Sequence, residues 1–530
     1  MNKKAKIYLP LIIAVAIAFG IFLGTSLNYQ KKTLTFFGGS PQEKKIKRLI
    51  DYIQYEYVDE VNTDSLLDGT IKNMLSKLDP HSVYIPAKEH GSITESMNGK
   101  FVGIGIQFKM FKDSLTVIKV LENGPSKKAG IKAGDRILIA NSDTLYGKKL
   151  DSDYIFKTLK GEPDTQVDLT IYRRSENKII PFTITRGDIP IQSVDAFYMI
   201  NKDLGYVKIN KFAATTYGEF KIALDTLLQQ GMNKLVLDLR QNPGGYLQVA
   251  TQIIDEFLED DKLIVFTKNK RDKIEKTFAT AKGDFENGHV FVLINGSSAS
   301  ASEIIAGALQ DNDKGTIVGR RSFGKGLVQQ EMDLGDGSAV RLTISRYYTP
   351  TGRSIQKPYD HKGNRLYFNE FEKRFEHGEL MTADSIKVND TLKFTTPKGK
   401  IVYGGGGIIP DVFVPIDTTR FFNNFHIIKM SDFVFDYTDT HRGEFENWNF
   451  DKFNTDFDKN DMVYNSYLKS LPEKLIKAHG VDNQNLKMYL KALFAQQLFD
   501  ANAYYRIINK NDKMIDKVIE LNNEGYPITQ

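Results

Sequence analysis

The segment HVFVLINGSSASASEIIAGALQDN, residues 289–312, joins a buried-strand pattern directly to a helical one. HVFVLI is a continuous apolar run of strand length, and SEIIAGALQDN continues at helical length after a turn rich in serine. Similar units surround it: LGYVKINKF, TYGEFKIALDTLLQQG and KLVLDLRQNPGG precede it, and GTIVGRR follows it. Strands that alternate with helices predict a layered α/β core with a largely parallel sheet. Sites in such sheets collect at the carboxyl ends of the strands.

Two of these strand ends carry unusual residues. DLRQNPGG leaves one strand through Pro243, Gly244 and Gly245. Glycines at this point allow another backbone or a substrate to approach closely, although a tight strand-to-helix turn would need the same residues. The other strand end holds four serines within the six positions 297–302.

The serine cluster has three interpretations. Low complexity is disfavoured because both flanks are strongly patterned. Ser300 followed three positions later by Glu303 predicts a capping box for the helix. A serine at a helix N-terminus also lies beside free N–H groups that can stabilise an oxyanion, which suits a nucleophile. The local residues alone favour the cap.

A candidate base lies further along the chain. RRSFGKGLVQQ places Lys325 between two glycines and ahead of a strand-like run. In a strand, Lys325 and Gln329 would project from the same face because their separation is even. Lowering a lysine pKa from ~10.4 to ~7.5 costs about 4 kcal/mol, which requires burial or a nearby positive charge. His81, in the loop DPHSVYIP, could serve catalysis, but a loop histidine that caps or hydrogen-bonds locally is the favoured interpretation.

Composition excludes several classes of function. The 530 residues are 41% hydrophobic and 26% charged, as expected of an ordinary globular chain of several domains. The sequence contains no cysteine, which excludes disulfides, thiolate metal sites and cysteine catalysis. Apart from Lys3, Lys4 and Lys6, the chain has 68 basic and 66 acidic residues, so nucleic acid is not expected as a partner.

The N-terminus predicts a membrane segment. After MNKKAK, residues 7–24 are uncharged and would span roughly 27 Å as a helix. Residues 1–24 are therefore expected to be a membrane anchor with its N-terminus in the cytoplasm, because the lysines precede the apolar run. A cleaved signal sequence is the alternative, although FLGTSLNY offers no A-x-A-like site. Residues 25–40 are predicted to form a linker.

The segments on either side of the core have patterns of their own. Residues 41–98 show helical spacing and are predicted to form a helical module. From residue 99 short β-type runs begin, and FVGIGIQF followed by NGPSKKAGIKAGDRILIANS resembles a bacterial, circularly permuted PDZ domain over 99–187. Residues 418–530, which include MYLKALFAQQLFDANAYYRII, are predicted to form a helical extension.

The PDZ resemblance implies capture of a peptide at a sheet edge. Gly103 and Gly105 would turn backbone N–H groups towards a terminal carboxylate. Ile104 and Ile106 would line the pocket for the last apolar side chain of the peptide, although each is equally expected in the core.

Four motifs together resemble the carboxyl-terminal processing (tail-specific) serine proteases: LDLRQNPGG, SASASE, GRRSFGKGLVQQ and TPTGRSIQ. The order of the preceding segments is also typical of that family: YEYVDEV, then LDPHSVY, then the PDZ segment. The resemblance therefore extends from about residue 45 to 417. It implies a protease core of ClpP/crotonase-like type over 188–417. The family pattern makes Ser300 the nucleophile, Lys325 the general base and Gln329 the group that orients the base.

The resemblance also implies an oxyanion hole and supporting residues. The hole would combine the backbone N–H of Ala301 with one from Gly244 or Gly245. The positions expected to support this architecture are Glu303, Asp311 and Arg240.

The expected activity is a serine endopeptidase that forms an acyl-enzyme and needs no metal or other cofactor. Its substrates would be proteins with apolar C-terminal tails, and an adaptor protein and a homo-oligomer are further candidate partners. The anchor places the chain in the bacterial periplasm, at the inner membrane. An inactive PDZ scaffold or a ligand-binding protein on the same fold is the alternative.

Overall fold

The structure is a computed structural model that describes residues 40–111, 113–147, 150–359, 365–418, 424–472 and 483–526. The predicted anchor, residues 1–24, lies outside these ranges. Within them, none of the helices combines the length and the apolar character that crossing a membrane requires. The chain divides after residue 73 into two compact units.

The described part of the first unit is helical. Helix α1 spans Pro41–Glu56, and α2 spans Thr63–Leu75 and ends just past the boundary of the unit. A capping box starts α1, because Ser40 Oγ accepts from the N–H of Glu43 at 3.2 Å and the Glu43 carboxylate accepts from the N–H of Ser40 at 2.8 Å. No residue of α1 is buried in this described segment.

The second unit begins with a β-rich region. Its elements are β1 (Val83–Ile85), α3 (Ala87–Asn98), β2 (Lys100–Gly103), β3 (Ile106–Phe111), β4 (Ser114–Val120), α4 (Pro125–Ala129), β5 (Arg136–Ala140), β6 (Asp143–Thr144), α5 (Ser152–Leu159), β7 (Gln166–Arg173), β8 (Lys178–Thr185) and β9 (Gly187–Pro190). An antiparallel sheet has the order β3-β4-β5-β7-β8, with β6 on β5, and β2 pairs with β9. Alternate residues of β7, Val167, Leu169 and Ile171, are buried in its core, as the period of two requires.

The α/β core follows in chain order. Its elements are β10 (Val194–Met199), β11 (Leu204–Ile209), α6 (Thr216–Gln229), β12 (Lys234–Asp238), α7 (Leu247–Asp255), β13 (Leu263–Asn269), β14 (Ile274–Phe278), β15 (His289–Ile294), α8 (Ala301–Asp311), β16 (Gly315–Gly319), β17 (Leu327–Asp333), β18 (Ala339–Tyr348), α9 (Arg365–Phe368), α10 (Glu370–Glu376), β19 (Lys393–Thr395), β20 (Ile401–Tyr403) and β21 (Val412–Phe413). The main sheet has the order β10-β11-β12-β15-β16-β21 and is parallel from β11 onwards. The layered, largely parallel α/β prediction is confirmed.

The C-terminal region is helical, as predicted. It contains α11 (Asn424–Thr440), α12 (Arg442–Phe445), α13 (Phe450–Asp456), α14 (Met462–Ser470), α15 (Asn483–Leu498), α16 (Ala501–Ile508) and α17 (Lys513–Asn523). Helices α6, α7 and α8 contribute to the large apolar core on one face of the main sheet. A second cluster of buried apolar residues joins this sheet to the last helix. It contains Tyr206 and Phe291 of the sheet together with Met514, Ile515 and Val518 of α17. The end of the chain therefore contributes a layer of the α/β core.

The same C-terminal region contacts the β-rich region. Arg136 of β5 pairs with Asp439 of α11 at 3.0 Å, and both side chains are largely buried. The amide of Gln497 donates to the carbonyl of Ile118 at 3.1 Å. The extension thus joins the β-rich region to the core.

A smaller antiparallel sheet completes the second unit. It has the order β1-β18-β13-β14, and β17 pairs with β18. Strand β1, which the sequence placed in the helical module, therefore belongs to the sheet that carries β17. This pairing brings the loop around Asp79 and His81 towards the residues that precede β17.

Candidate active site

Ser300 lies where a central strand of the main sheet meets a helix. Strand β15 ends at Ile294, and α8 begins at Ala301, so Ser300 is the residue at the N-terminal boundary of the helix. Its φ of 53° lies in the left-handed region. A non-glycine residue in such a conformation costs about 1–3 kcal/mol, and these residues concentrate at functional sites. The turn therefore holds this serine in a strained position.

The neighbouring serines have structural contacts. Ser298 Oγ donates to the carbonyl of Leu239 at 2.9 Å, and Ser302 Oγ donates to the carbonyl of Asn242 at 3.0 Å. Both of these serines are buried. They join the serine turn to the end of β12, where the glycine turn begins.

The glycine turn packs directly on Ser300. Gly244 has a φ of 102°, and a Cβ at this position would lie 2.8 Å from Ser300 Cβ and 3.0 Å from the nitrogen of Ala301. The Gly244 N–H donates to Oδ1 of Asn242 at 2.8 Å. Among the described residues, no acceptor is recorded for the N–H of Gly245 or of Ala301. Of the two candidate glycines, Gly244 therefore uses its N–H within the turn.

Asn242 organises this turn, and its role was not anticipated from the sequence. Its side chain accepts from Gly244 and donates to the carbonyl of Ile209 at 3.0 Å, while its own carbonyl accepts from the N–H of Ala299 at 3.0 Å. It is fully buried. The asparagine of DLRQNPGG was the only signal for it, and its amide both donates and accepts.

Lys325 and Gln329 are in hydrogen-bond contact. Lys325 Nζ donates to Gln329 Oε1 at 2.7 Å, and Gln329 Nε2 donates to the carbonyl of His81. The expectation that even spacing in a strand brings them together was wrong, because β17 starts only at Leu327 and a bulge interrupts it between Val328 and Gln329. The contact comes from the turn before the strand and from that bulge.

The environment of Lys325 lowers its pKa to about 8. Burial is the largest cause, and the positive charge of Arg341 adds to it, while Glu303 and Asp79 oppose it. His81 lies near the same lysine. Burial first, and then the charge of Lys325, lower the pKa of this histidine to about 4. Near neutral pH, His81 is therefore almost entirely neutral, while Lys325 has a minor neutral population that grows as the pH rises.

Glu303 connects the serine turn to the lysine turn. Its fully buried carboxylate accepts four hydrogen bonds: from the N–H of Ser300 at 2.9 Å, Ser322 Oγ at 2.5 Å, the N–H of Gly324 at 2.7 Å and the N–H of Lys325 at 2.8 Å. Burial raises its pKa, and these bonds oppose the rise. Glu303, the second residue of the predicted capping box, thus also links the turn at Ser300 to the turn at Lys325.

Buried Tyr347 makes a second connection that the sequence did not indicate. Its hydroxyl lies within hydrogen-bonding distance of the carbonyl of Lys325, at 2.9 Å, and of the carbonyl of Ser300, at 3.2 Å.

The two other predicted supporting residues form ion pairs with residues outside the cavity lining. Asp311 pairs with Arg353 at 2.6 Å, and Arg240 pairs with Asp238 at 2.6 Å.

Ser300 and Lys325 line the same cavity, of about 450 Å³. Leu327, Val328 and Ile304 make part of its wall apolar. The remaining members of the lining are Ile93, Thr94, Met97, Pro243, Gly244, Gly245, Tyr246, Leu247, Gln329, Glu331 and Arg341. A hydroxyl, an amine of lowered pKa and the backbone of the Gly244–Gly245 turn line one cavity, and groups of these kinds can together carry out acyl transfer. In the described ranges, no three His, Asp or Glu residues are grouped so as to hold a metal ion.

The four PDZ positions lie at the start of edge strand β3. Gly105 has a φ of 78° and packs against Pro125 and Ile189, which leaves little space for a side chain. Ile104 is buried in the core of the β-rich region, and Ile106 is partly buried against it. Gly103 ends β2. Within the part of the chain that the structure describes, strand β3 pairs with β4 alone, so its other edge is unpaired there.

Comparison with known proteins gives four matched ranges. Residues 203–361 match Peptidase family S41, residues 102–184 match the PDZ domain, and residues 25–89 match the Activating protease CtpB N-terminal domain. Residues 429–500 match a family of unknown function. Residues 362–428, including α9 and α10, lie outside these ranges.

Individual proteins are also similar to this chain. The Carboxy-terminal-processing protease of Bartonella bacilliformis is 34% identical over 345 residues, which is 64% of this chain and 78% of the relative. The Carboxy-terminal processing protease CtpB of Bacillus subtilis is 34% identical over 316 residues, which is 59% of this chain and 65% of the relative. A solved photosystem II D1 C-terminal processing protease is 24% identical, with 70% of this chain and 86% of that chain covered and a TM-score of 0.36.

Proposed function

This chain belongs to the carboxy-terminal processing proteases of peptidase family S41 and carries a PDZ domain, and from that premise we propose that Ser300 and Lys325 are its catalytic dyad. The chain is a serine-type peptidase. The observation that carries the dyad is a single cavity that holds Ser300, strained at a helix N-terminus, and Lys325, whose pKa is lowered to about 8.

The proposed reaction proceeds through an acyl-enzyme. The neutral amine of Lys325 takes the proton of Ser300 Oγ while that oxygen bonds to the peptide carbonyl carbon. The carbonyl oxygen becomes an oxyanion, which the N–H groups of Ala301 and Gly245 stabilise. The ammonium of Lys325 then gives the proton to the leaving amine as the C–N bond breaks. Water, deprotonated by Lys325, attacks the ester in the same way and releases the acid.

Gln329 is the proposed positioning residue for the base. Its Oε1 accepts from Lys325 Nζ, and its Nε2 is held by the carbonyl of His81. A side chain fixed at both ends restricts where the amine can lie, which favours the geometry of proton transfer.

The PDZ domain is proposed to recognise the C-terminal tail of the substrate. The unpaired edge of β3 supports addition of an extended peptide, and the Gly103–Ile106 loop at its start supports capture of the carboxylate. Proteins that are unfolded at the C-terminus and end in apolar, uncharged residues are the proposed substrates. An adaptor that delivers them and a homo-oligomer remain proposals of the same kind.

The periplasm is the proposed location, with residues 1–24 as an inner-membrane anchor. The support is the order of three lysines and then an uncharged run over residues 7–24. Cell fractionation with a tagged chain tests this: the chain should stay with membranes after a salt wash and be cut by protease added to spheroplasts. Release into the soluble fraction would contradict the anchor.

Cleavage assays with matched variants test the dyad. The purified chain should cut an unfolded polypeptide with an apolar C-terminus, with the product masses measured over time. Ser300→Ala and Lys325→Ala should each lower the rate by roughly 10⁴-fold or more. The controls are Ser466→Ala and Lys276→Ala, which change exposed residues of the same types that do not line the cavity. Cleavage by both dyad variants at the wild-type rate would refute the proposal.

A further inference from the structure

A second cavity, of about 440 Å³, adjoins the catalytic one. The two share Pro243 and Lys325 in their linings. The second cavity also reaches Ser297 and Ala299, which lie in the turn just before Ser300. A peptide whose carbonyl carbon lies at Ser300 Oγ therefore has space for a neighbouring side chain on this side of the lysine.

Aromatic rings form much of its wall. His81, Phe323 and Phe368 line the cavity, and Tyr367 packs against all three. The ring centroids of His81 lie 6.1 Å from Phe323 and 5.8 Å from Phe368, with edge-to-face geometry. Such a wall offers favourable contacts to a further aromatic or large aliphatic side chain.

The mouth of the cavity exposes apolar surface. Phe368 is 50% exposed and Phe371 is 53% exposed, and both line the cavity from the segment α9–α10. An occupant that removes part of this area from water gains free energy in proportion to the apolar area covered. Exposed aromatic residues around a cavity next to a catalytic cleft are typical of a binding surface.

The charges at the base of the cavity exclude a basic side chain. Arg321, Lys357 and Arg374 form a network with Glu370 and Glu379, so three cations meet two carboxylates. The excess of one positive charge repels lysine and arginine side chains.

These cations donate to acceptors of the protein itself. Lys357 Nζ donates to Glu370 at 2.5 Å and to the carbonyl of Tyr367 at 2.9 Å. Arg374 donates to Glu370 at 3.0 Å and to the carbonyl of Ser322 at 2.9 Å. An acidic side chain would have to compete with these carboxylate and carbonyl acceptors for the cations, which is unfavourable.

We propose that this second cavity is a specificity pocket that takes a bulky, uncharged apolar side chain, aromatic or branched aliphatic, of a substrate residue flanking the scissile bond. Helix α10 and the preceding Phe368 set this preference. The inference rests on the proposed function, since it requires a peptide on Ser300. Substrate choice would then depend on a residue at the cleavage site as well as on the C-terminal tail. The residues responsible lie in the α9–α10 segment.

The test uses peptides that share one apolar C-terminal tail and differ only at the two residues flanking a single cleavage site. Each position in turn is Phe, Leu, Ala, Lys or Asp, and kcat/KM comes from product masses. At one of the two positions, wild type should prefer Phe and Leu over Ala by roughly tenfold or more, and cleave Lys and Asp peptides least. Phe371→Ala should lower the Phe-to-Ala ratio roughly tenfold, and adding Phe368→Ala should lower it further.

Phe375→Ala is the matched control, because Phe375 is 47% exposed on the same helix and does not line the cavity. It should leave the Phe-to-Ala ratio at the wild-type value. Equal rates for all wild-type substrates, or equal ratios in wild type and the Phe368/Phe371 variant, would overturn the pocket while cleavage itself continued. Absence of any cleavage by the folded wild-type chain would instead count against the proposed function.

Discussion

Lys325 donates from its side-chain nitrogen to Oε1 of Gln329 at 2.7 Å. The amide oxygen is uncharged, so it positions the amine without stabilising the ammonium form as strongly as a carboxylate would. The lowered pKa of Lys325, about 8, is compatible with this partner because burial dominates it. The pair thus restrains the base and leaves it partly neutral.

The first prediction concerns pH. The neutral amine is the active form of Lys325, so kcat/KM should rise between pH 6 and 9 with a midpoint near the pKa of about 8. Below that pH the rate should fall about tenfold per pH unit, as the neutral fraction falls. Circular dichroism over the same range checks that the fold is intact. A flat profile would contradict lysine as the base.

The second prediction concerns the free energy of unfolding. The pKa of Lys325 falls from 10.5 in the unfolded chain to about 8 in the folded chain. Below pH 8 the lysine is protonated in both states, and this difference lowers the free energy of unfolding by about 3 kcal/mol. Lys325→Met should therefore stabilise the chain at pH 7 by up to about 3 kcal/mol. The gain should shrink as pH rises from 8 and vanish near 10.5, since both states are then neutral. Denaturant unfolding of wild type and variant at each pH measures this difference in the free energy of unfolding. A gain that increases with pH would contradict a lowered pKa for Lys325.

The third prediction isolates the glycine turn. Gly244→Ala would place a Cβ 2.8 Å from both the carbonyl oxygen of Ala299 and Ser300 Cβ, at a φ of 102°. We expect the turn to move, with a loss of stability of roughly 1–3 kcal/mol and at least a hundredfold loss of cleavage. Gly218→Ala is the control, because a Cβ at this helical position meets nothing within 4 Å. It should leave cleavage intact and raise stability by about 0.5–1 kcal/mol; similar outcomes for the two variants would contradict the role of the turn.

The sequence predicted the layered α/β core, the helical C-terminal region and the place of Ser300 at a helix start, because buried strands and helix starts have strong local patterns. It did not predict Tyr347, Asn242 or the wall formed by His81. Each of these acts through a contact between distant segments, and a single tyrosine or asparagine has no periodic signal. The second layer formed by α17 was missed for the same reason, since amphipathic helices do not specify which surface they cover.

The fourth prediction concerns the buried carboxylate that receives four donors. Glu303→Gln keeps the shape of the side chain but replaces one acceptor oxygen with an NH₂ group, which faces donors that it cannot bond. Because these donors include the N–H groups of both Ser300 and Lys325, we expect a loss of about 2–3 kcal/mol in stability and a large loss of cleavage. Glu259→Gln changes a carboxylate that is 71% exposed and serves as the control. Thermal unfolding and product masses measure both effects, and wild-type behaviour of Glu303→Gln would refute the linking role.

The last prediction concerns the contact between the PDZ domain and the C-terminal extension. Asp439 is 5% exposed and faces Arg136 at 3.0 Å, with Arg442 at 3.3 Å and Arg174 at 3.5 Å. Asp439→Asn leaves Arg136, itself 12% exposed, without its carboxylate, and such a loss costs about 3 kcal/mol or more. Hydrogen exchange should therefore speed up in β5 and α11. Asp456→Asn, in an ion pair of the same extension whose carboxylate is 42% exposed, should change exchange little, because exposed pairs contribute about 0–1 kcal/mol. Equal exchange in the two variants would mean that the buried pair does not hold the extension against the PDZ domain.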